Sequence, residues 1–179
     1  MSLSDQHRAA DPHEFVITRV FDAPRDLVYK AWTEPARLAE WWGPAGFTLS
    51  VLKLELKPGG IFHYGMKAPD GVEMWGKFTY RDIVPPERIV SILSFADREG
   101  KPVRHPMSQT WPLETLNAMT LLEHEGKTTL TLRSTPHHAS ELEKTTFKEG
   151  HGAMVQGFAG TFDQLDAYLA RAAAPGGKA

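Results

Sequence analysis

The residues best suited to chemistry are histidines. His137, His138 and His151, with Glu141 and Glu149, offer the nitrogen and oxygen donors of a metal site. Adjacent histidines point in different directions on most backbones, and a solvated loop explains the same residues; no metal site is assigned. His151 has a second role open to it, as a polar group at one end of a cavity. There it would orient a ligand carbonyl or carboxylate, or act as a general base. With Tyr64 and Asn117 it would form a converging polar set of the kind concerted acid–base chemistry needs. An exposed histidine at a helix start is the plain alternative.

Other catalytic signatures are missing from the sequence. It has no G-x-S-x-G elbow, Walker sequence or H-E-x-x-H. Gly150-His-Gly152 resembles part of a dinucleotide fingerprint but does not follow a strand in a βαβ unit. With no cysteine, thiolate nucleophiles and Cys-ligated metals are excluded. Neither a catalytic residue nor a cofactor is assigned. Arg98, Lys101, Arg104 and His105 make one loop basic, where an anionic head group could be met or water alone.

These residues are carried by 179 positions, about one domain's worth. Twenty basic against twenty-two acidic side chains leave a net charge of −2, which advertises no nucleic-acid partner. No apolar run approaches the roughly 18 residues of a membrane span. Met1 to His13 is polar and has no signal-peptide core. A cytoplasmic location is expected, with 1–13 and 172–179 as loose, disordered tails around a single domain, 14–171.

Periodicity gives the order of elements. Glu14 to Asp22 reads as a strand, and 24–32 as a helix started by Pro24. A second short helix follows Pro35, with Leu38, Trp41 and Trp42 on one face. Strands are expected over Phe47–Leu56, around Phe62–Met66, around Met74–Tyr80, and over Arg88–Phe95. An irregular loop covers about 97–109. Thr110–Glu123 and Thr128–Ser134 form two more strands, turning at Glu125-Gly126. Ser140 and Glu143 make a capping box for a short helix. From 153 to 171, Met154, Val155, Phe158, Phe162, Leu165 and Leu169 recur at helical spacing. Gly157 and Gly160 within that helix suggest close approach to a neighbour.

The sheet has one apolar face and the last helix one apolar stripe, so each is expected to cover the other. A curved sheet against a straight rod leaves a gap, to be filled by side chains or kept as a cavity. The expected lining is Phe62, Tyr64, Met66, Met74, Phe78, Phe95, Trp111, His151, Met154 and Phe158. Trp75, Thr79 and Arg81 are expected on the outer face, as a docking patch. Trp41 should pack beneath the helix pair, and Trp42 should cap the sheet or serve a homodimer.

A family resemblance follows from an ordered set of motifs. Phe21-Asp-Ala-Pro24, Ala31-Trp-Thr-Glu-Pro35 and Trp41-Trp-Gly-Pro44 open it. Lys57-Pro-Gly-Gly60, Pro69-Asp-Gly71, Gly76, Pro85-Pro-Glu-Arg88 and Glu125-Gly-Lys-Thr128 continue it, and Gly157-Phe158 with Leu165 closes it. Together, over about 14–171, they resemble the activators of heat-shock-protein-90 ATPase, in the bacterial single-domain form. These are members of the START-like helix-grip superfamily, also called SRPBCC. Phe158 departs from the usual Trp, and the polar 97–112 insertion is longer than usual.

The resemblance implies an α+β helix-grip fold: a curved seven-stranded antiparallel sheet wrapped around a long C-terminal helix, with two short helices between strands 1 and 2. It also implies an apolar or amphipathic small-molecule ligand, or a chaperone partner and a link to stress response. The co-chaperone role usually involves a second domain, which the thirteen residues before the first strand are not expected to supply. A cyclase- or hydrolase-like enzyme is the remaining reading.

Overall fold

A computed structural model describes residues 11–173. Most of the two expected tails, 1–10 and 174–179, lies outside these residues. The chain runs β1 (Phe15–Phe21), α1 (Arg25–Thr33), α2 (Pro35–Trp41), β2 (Thr48–Leu54), β3 (Ile61–Lys67), β4 (Glu73–Val84) and β5 (Arg88–Ala96). A two-residue β6 (Pro102–Val103) precedes β7 (Glu114–His124), β8 (Lys127–His137), α3 (Glu141–Glu149) and α4 (His151–Ala173).

The sheet is antiparallel in the order β1-β8-β7-β5-β4-β3-β2, with β6 attached to β5. This is the expected seven-stranded helix-grip sheet plus one short strand inside the loop read as irregular. The 110–123 strand starts later than expected, at Glu114, because Trp111-Pro112 interrupts the ladder: proline has no N–H to donate. Register shifts between Val51 and Lys53 and between Tyr80 and Asp82 mark irregularities that bend β2 and β4. Glu125 and Gly126, both at positive φ, close the tight β7–β8 turn.

Ladder register assigns the faces. Phe62, Tyr64 and Met66 of β3 lie opposite Phe78, Gly76 and Met74 of β4, and this row of positions continues through Leu93 and Phe95 of β5. Phe15, Ile17, Arg19 and Phe21 of β1 share the same concave face. Helix α4 comes nearest to α1, α2, α3 and β1. Its second half is fixed there: Phe162, Leu165, Tyr168 and Leu169 are buried. Arg19 reaches across from β1 to Asp163 and Asp166, both at 2.6 Å. Gln164 donates to the Gly43 carbonyl, and Arg37 to the Tyr168 hydroxyl at 2.9 Å.

Helix α3 has the expected capping box, with Ser140 and Glu143 each satisfying the other's backbone N–H. The break before α4 is shorter than the sequence suggests, because Gly150 keeps helical angles and its carbonyl accepts from Met154 N–H. The expectation for Gly157 and Gly160 needs correction. Neither has an atom within 4 Å of where a Cβ would stand; both face open space.

Candidate functional site

Between the concave face and the first half of α4 lie two adjoining hollows. The larger encloses about 200 Å³ and the smaller about 50 Å³. Leu93, Asn117 and Phe158 border both. The half of α4 above them is loosely held, with Met154 and Phe158 half-buried and the residues between them exposed.

Local geometry shapes the walls. Tyr64 can lie flat because its ladder partner is Gly76: a Cβ on Gly76 would stand 2.3 Å from the Tyr64 hydroxyl oxygen. Tyr64 stacks at 4.8 Å on Phe62, which stacks at 5.5 Å on Phe78. At the α3–α4 junction Trp111 does the same over Gly150, where a Cβ would stand 2.6 Å from the ring. Trp42 turns inward to meet Trp32, Trp41 and Tyr64, and is half-buried. Trp41 is buried beneath the helix pair, its indole donating to the Ala31 carbonyl at 3.0 Å.

Of the ten residues expected as lining, Tyr64, Met66, Phe95, Trp111, Met154 and Phe158 border the larger hollow. Phe62 and Phe78 border the smaller, again with Phe158. Met74 and His151 border neither. Met74 sits opposite Met66 near the turn end of the β3–β4 hairpin, and its side chain is half-buried. His151 stands one layer back, its ring 5.4 Å from Phe15 and 5.2 Å from Phe147, which itself forms the wall. The set of Tyr64, Asn117 and His151 is therefore not assembled in one space. Trp75 alternates onto the outer face, with its indole against Gly65, 3.0 Å from where a Cβ would stand, and it also borders the larger hollow.

The sequence reading missed four polar wall residues. Ser91, Thr115 and Ser134 join Asn117 on the concave floor, all less than 9% exposed. Their pairing is the signal: Ser91 is opposite Asn117, and Asn117 is opposite Ser134. Trp32 is the fourth, beside Trp42 on the smaller hollow. No charged side chain borders either hollow. Tyr64 and Tyr80 are the titratable groups there, and burial pushes Tyr64 up to about 12 and Tyr80 also upward. Near neutral pH both are neutral phenols, poor as general bases.

Outside the hollows the basic loop is partly spoken for. Arg104 donates to Glu143 at 2.6 Å and to the Trp111 carbonyl at 3.2 Å. His105 rests 4.7 Å from the Phe95 ring, and burial pushes its pKa down. His137 and His138 meet edge to face, ring centroids 4.0 Å apart, away from the His151 contacts. Among the described residues no three His, Cys, Asp or Glu side chains converge. Among them, too, no helix is long and apolar enough to cross a membrane.

This arrangement of sheet, helix and motifs is matched by the family described as Activator of Hsp90 ATPase homolog 1-like protein, over residues 22–170. The chain belongs to that family. A solution structure from Arthrobacter aurescens is 28% identical, with a TM-score of 0.74, covering 89% of this chain and 87% of that one. A Mycobacterium smegmatis protein is 26% identical, with a TM-score of 0.70, covering 87% and 90%. A Silicibacter pomeroyi protein bearing the family's name is 17% identical, with a TM-score of 0.64 over 88% and 97%; it is similar in fold. No curated protein matches. Within the Activator of Hsp90 ATPase homolog 1-like family, this chain thus has a START-like, helix-grip domain.

Proposed function

We propose that the protein binds a small apolar or amphipathic molecule between its sheet and α4, and does so without catalysis. The observation that carries this is the larger hollow, about 200 Å³, walled by aromatic and aliphatic side chains with no charge among them. An apolar cavity of about 150 Å³ takes a benzene ring. Drug-sized pockets run to roughly 300–1,000 Å³, so the occupant is small. Phe95, Trp111, Met154 and Phe158 would hold its apolar body. The acid–base alternative is weaker, because His151 stands behind Phe147. The reading carries a cytoplasmic location with it, and a cysteine-free chain suits a reducing compartment.

Four of the five tryptophans border the two hollows, so intrinsic fluorescence reports occupancy. Titration with naphthalene should shift the emission saturably, and native mass spectrometry should show one adduct per chain. Leu93→Trp, which fills the shared wall, should abolish both signals while the fold is retained. An unchanged response in that variant, or no response in the natural sequence, would count against the proposal.

A second reading is suggested by the family's name. Val20 and Leu122 flank Thr129 on the outer face, exposed by 57% and 68%, and would meet a chaperone there. Chaperone ATPase turnover in the presence of the purified protein tests it, and an unaltered rate removes it.

A further inference from the structure

One row of the sheet breaks the apolar pattern of the concave face. Ser91 on β5, Asn117 on β7 and Ser134 on β8 lie side by side in register, 5%, 7% and 3% exposed. Thr115 stands two positions from Asn117 on the same face. The row on one side is Ile89, Met119 and Leu132. On the other side Leu93 lies opposite Phe78. Asn117 borders both hollows, Ser91 the smaller, and Thr115 and Ser134 the larger. The Asn117 amide nitrogen reaches Thr115 Oγ1 at 3.5 Å, which is long for a hydrogen bond.

None of the four is among the wholly enclosed side chains left with an unpartnered polar atom; holding such groups on a buried sheet face risks about 1–3 kcal/mol for each that loses its partner. Alanine or valine would build the same strands without that risk. The row therefore makes sense as a recognition surface facing the hollow. Its chemistry is specific. Asn117 both donates and accepts, the hydroxyls do either, and the Tyr64 phenol stays protonated. No cation is present to balance an anion, and no carboxylate to balance a cation. A buried, unpaired charge on the ligand would be strongly disfavoured. The larger hollow, about 200 Å³ with one of about 50 Å³ adjoining it, has room for one or two fused rings.

We infer that the Ser91–Asn117–Ser134 row is a hydrogen-bonding subsite that selects an uncharged, one- or two-ring aromatic ligand carrying a carbonyl or hydroxyl. The inference rests on the binding role proposed above and adds the ligand's chemistry to it.

Equilibrium dialysis with three matched probes tests it: naphthalene, 2-naphthol and 2-naphthoate. Partition by hydrophobicity alone favours naphthalene. The subsite reverses that order, and 2-naphthol should bind about tenfold tighter than either of the others, as one good neutral hydrogen bond allows. Asn117→Leu should bring 2-naphthol to within about threefold of naphthalene while naphthalene still binds. Should that variant fail to fold, the Ser91→Ala, Ser134→Ala pair should lose most of the preference. Naphthalene binding as tightly as 2-naphthol would overturn the subsite and leave the hollow's role standing. Tightest binding of 2-naphthoate would overturn the uncharged class. If none of the three binds, the subsite and the binding role fall together.

Discussion

The phenol of Tyr64 lies across the bare backbone of Gly76, its partner in the β3–β4 ladder. A Cβ on Gly76 would stand 2.3 Å from its oxygen and 2.4 Å from Cζ. The pair sets the depth of the larger hollow on the β3–β4 side. Gly76→Ala should therefore displace the ring and cost about 1–3 kcal/mol, as overpacking does. In a Tyr64→Leu background the same substitution should cost much less. Urea denaturation of the four proteins in this cycle measures the coupling, and additive costs would contradict the contact.

Gly157 and Gly160 face open space on α4, so neither is needed for a close approach. Replacing each with alanine should stabilise the protein by up to about 1 kcal/mol, through helix propensity and a less disordered unfolded chain. That corresponds to roughly 2–4 °C per substitution in a thermal melt of a domain this size. A lowered melting temperature would show that the helix makes contacts there that the structure does not contain.

Glu143 carries the α3 cap and also accepts from Arg104, which holds its carboxyl below the usual carboxylate range. Because the folded pKa lies below the unfolded one, this stabilisation is present above the ordinary glutamate value. It is lost as pH falls through the depressed one. Glu143→Gln keeps the cap but removes the ion pair. The variant should be less stable at pH 7 by under about 1 kcal/mol, since Arg104 is well exposed. Melts repeated down to pH 3 should show the two proteins converging; a gap independent of pH would mean the pair contributes nothing.

Three of the four tyrosines, Tyr29, Tyr64 and Tyr80, have hydroxyls pushed upward by burial, Tyr64 to about 12. Folded pKa values above the unfolded one mean constant stability below about pH 10, declining as pH rises further. Ultraviolet titration should show a late component, from these three phenols, that coincides with unfolding. Tyr64→Phe should shrink that component. One uniform transition near pH 10 would show these phenols to be solvated.

Much of this fold was legible because its signals are local. Alternation set the strands, Ser140 with Glu143 set the start of α3, and turn chemistry at Glu125-Gly126 set the β7–β8 hairpin. Trp111-Pro112 was read as strand because β-propensity was weighed there without the missing donor of Pro112. Pairing across strands is harder to read. Ser91, Asn117 and Ser134 are far apart in the chain, and only the ladder shows that they form one row. His151 was placed in the cavity by its position at a helix start, but one layer of packing, Phe147, separates the two. Gly150 does interrupt the helix, as its type suggests, but for one residue only, and it also serves as a seat for Trp111. A glycine's residue type alone does not say whether it serves a bend, a neighbour or, like Gly157, neither.

The first strand is held at the sheet edge by the last strand, Phe15 opposite Ser134 and Phe21 opposite Thr128. During synthesis β1 therefore has no ladder partner until the segment ending at His137 has emerged from the ribosome. The ion pairs that seat Arg19 wait longer still, for Asp163 and Asp166. The β2–β5 end pairs through consecutive hairpins, but nearly the whole polypeptide must be made before the β1 end is paired and seated, so a prematurely terminated chain would expose Phe15, Phe21 and the sheet interior together.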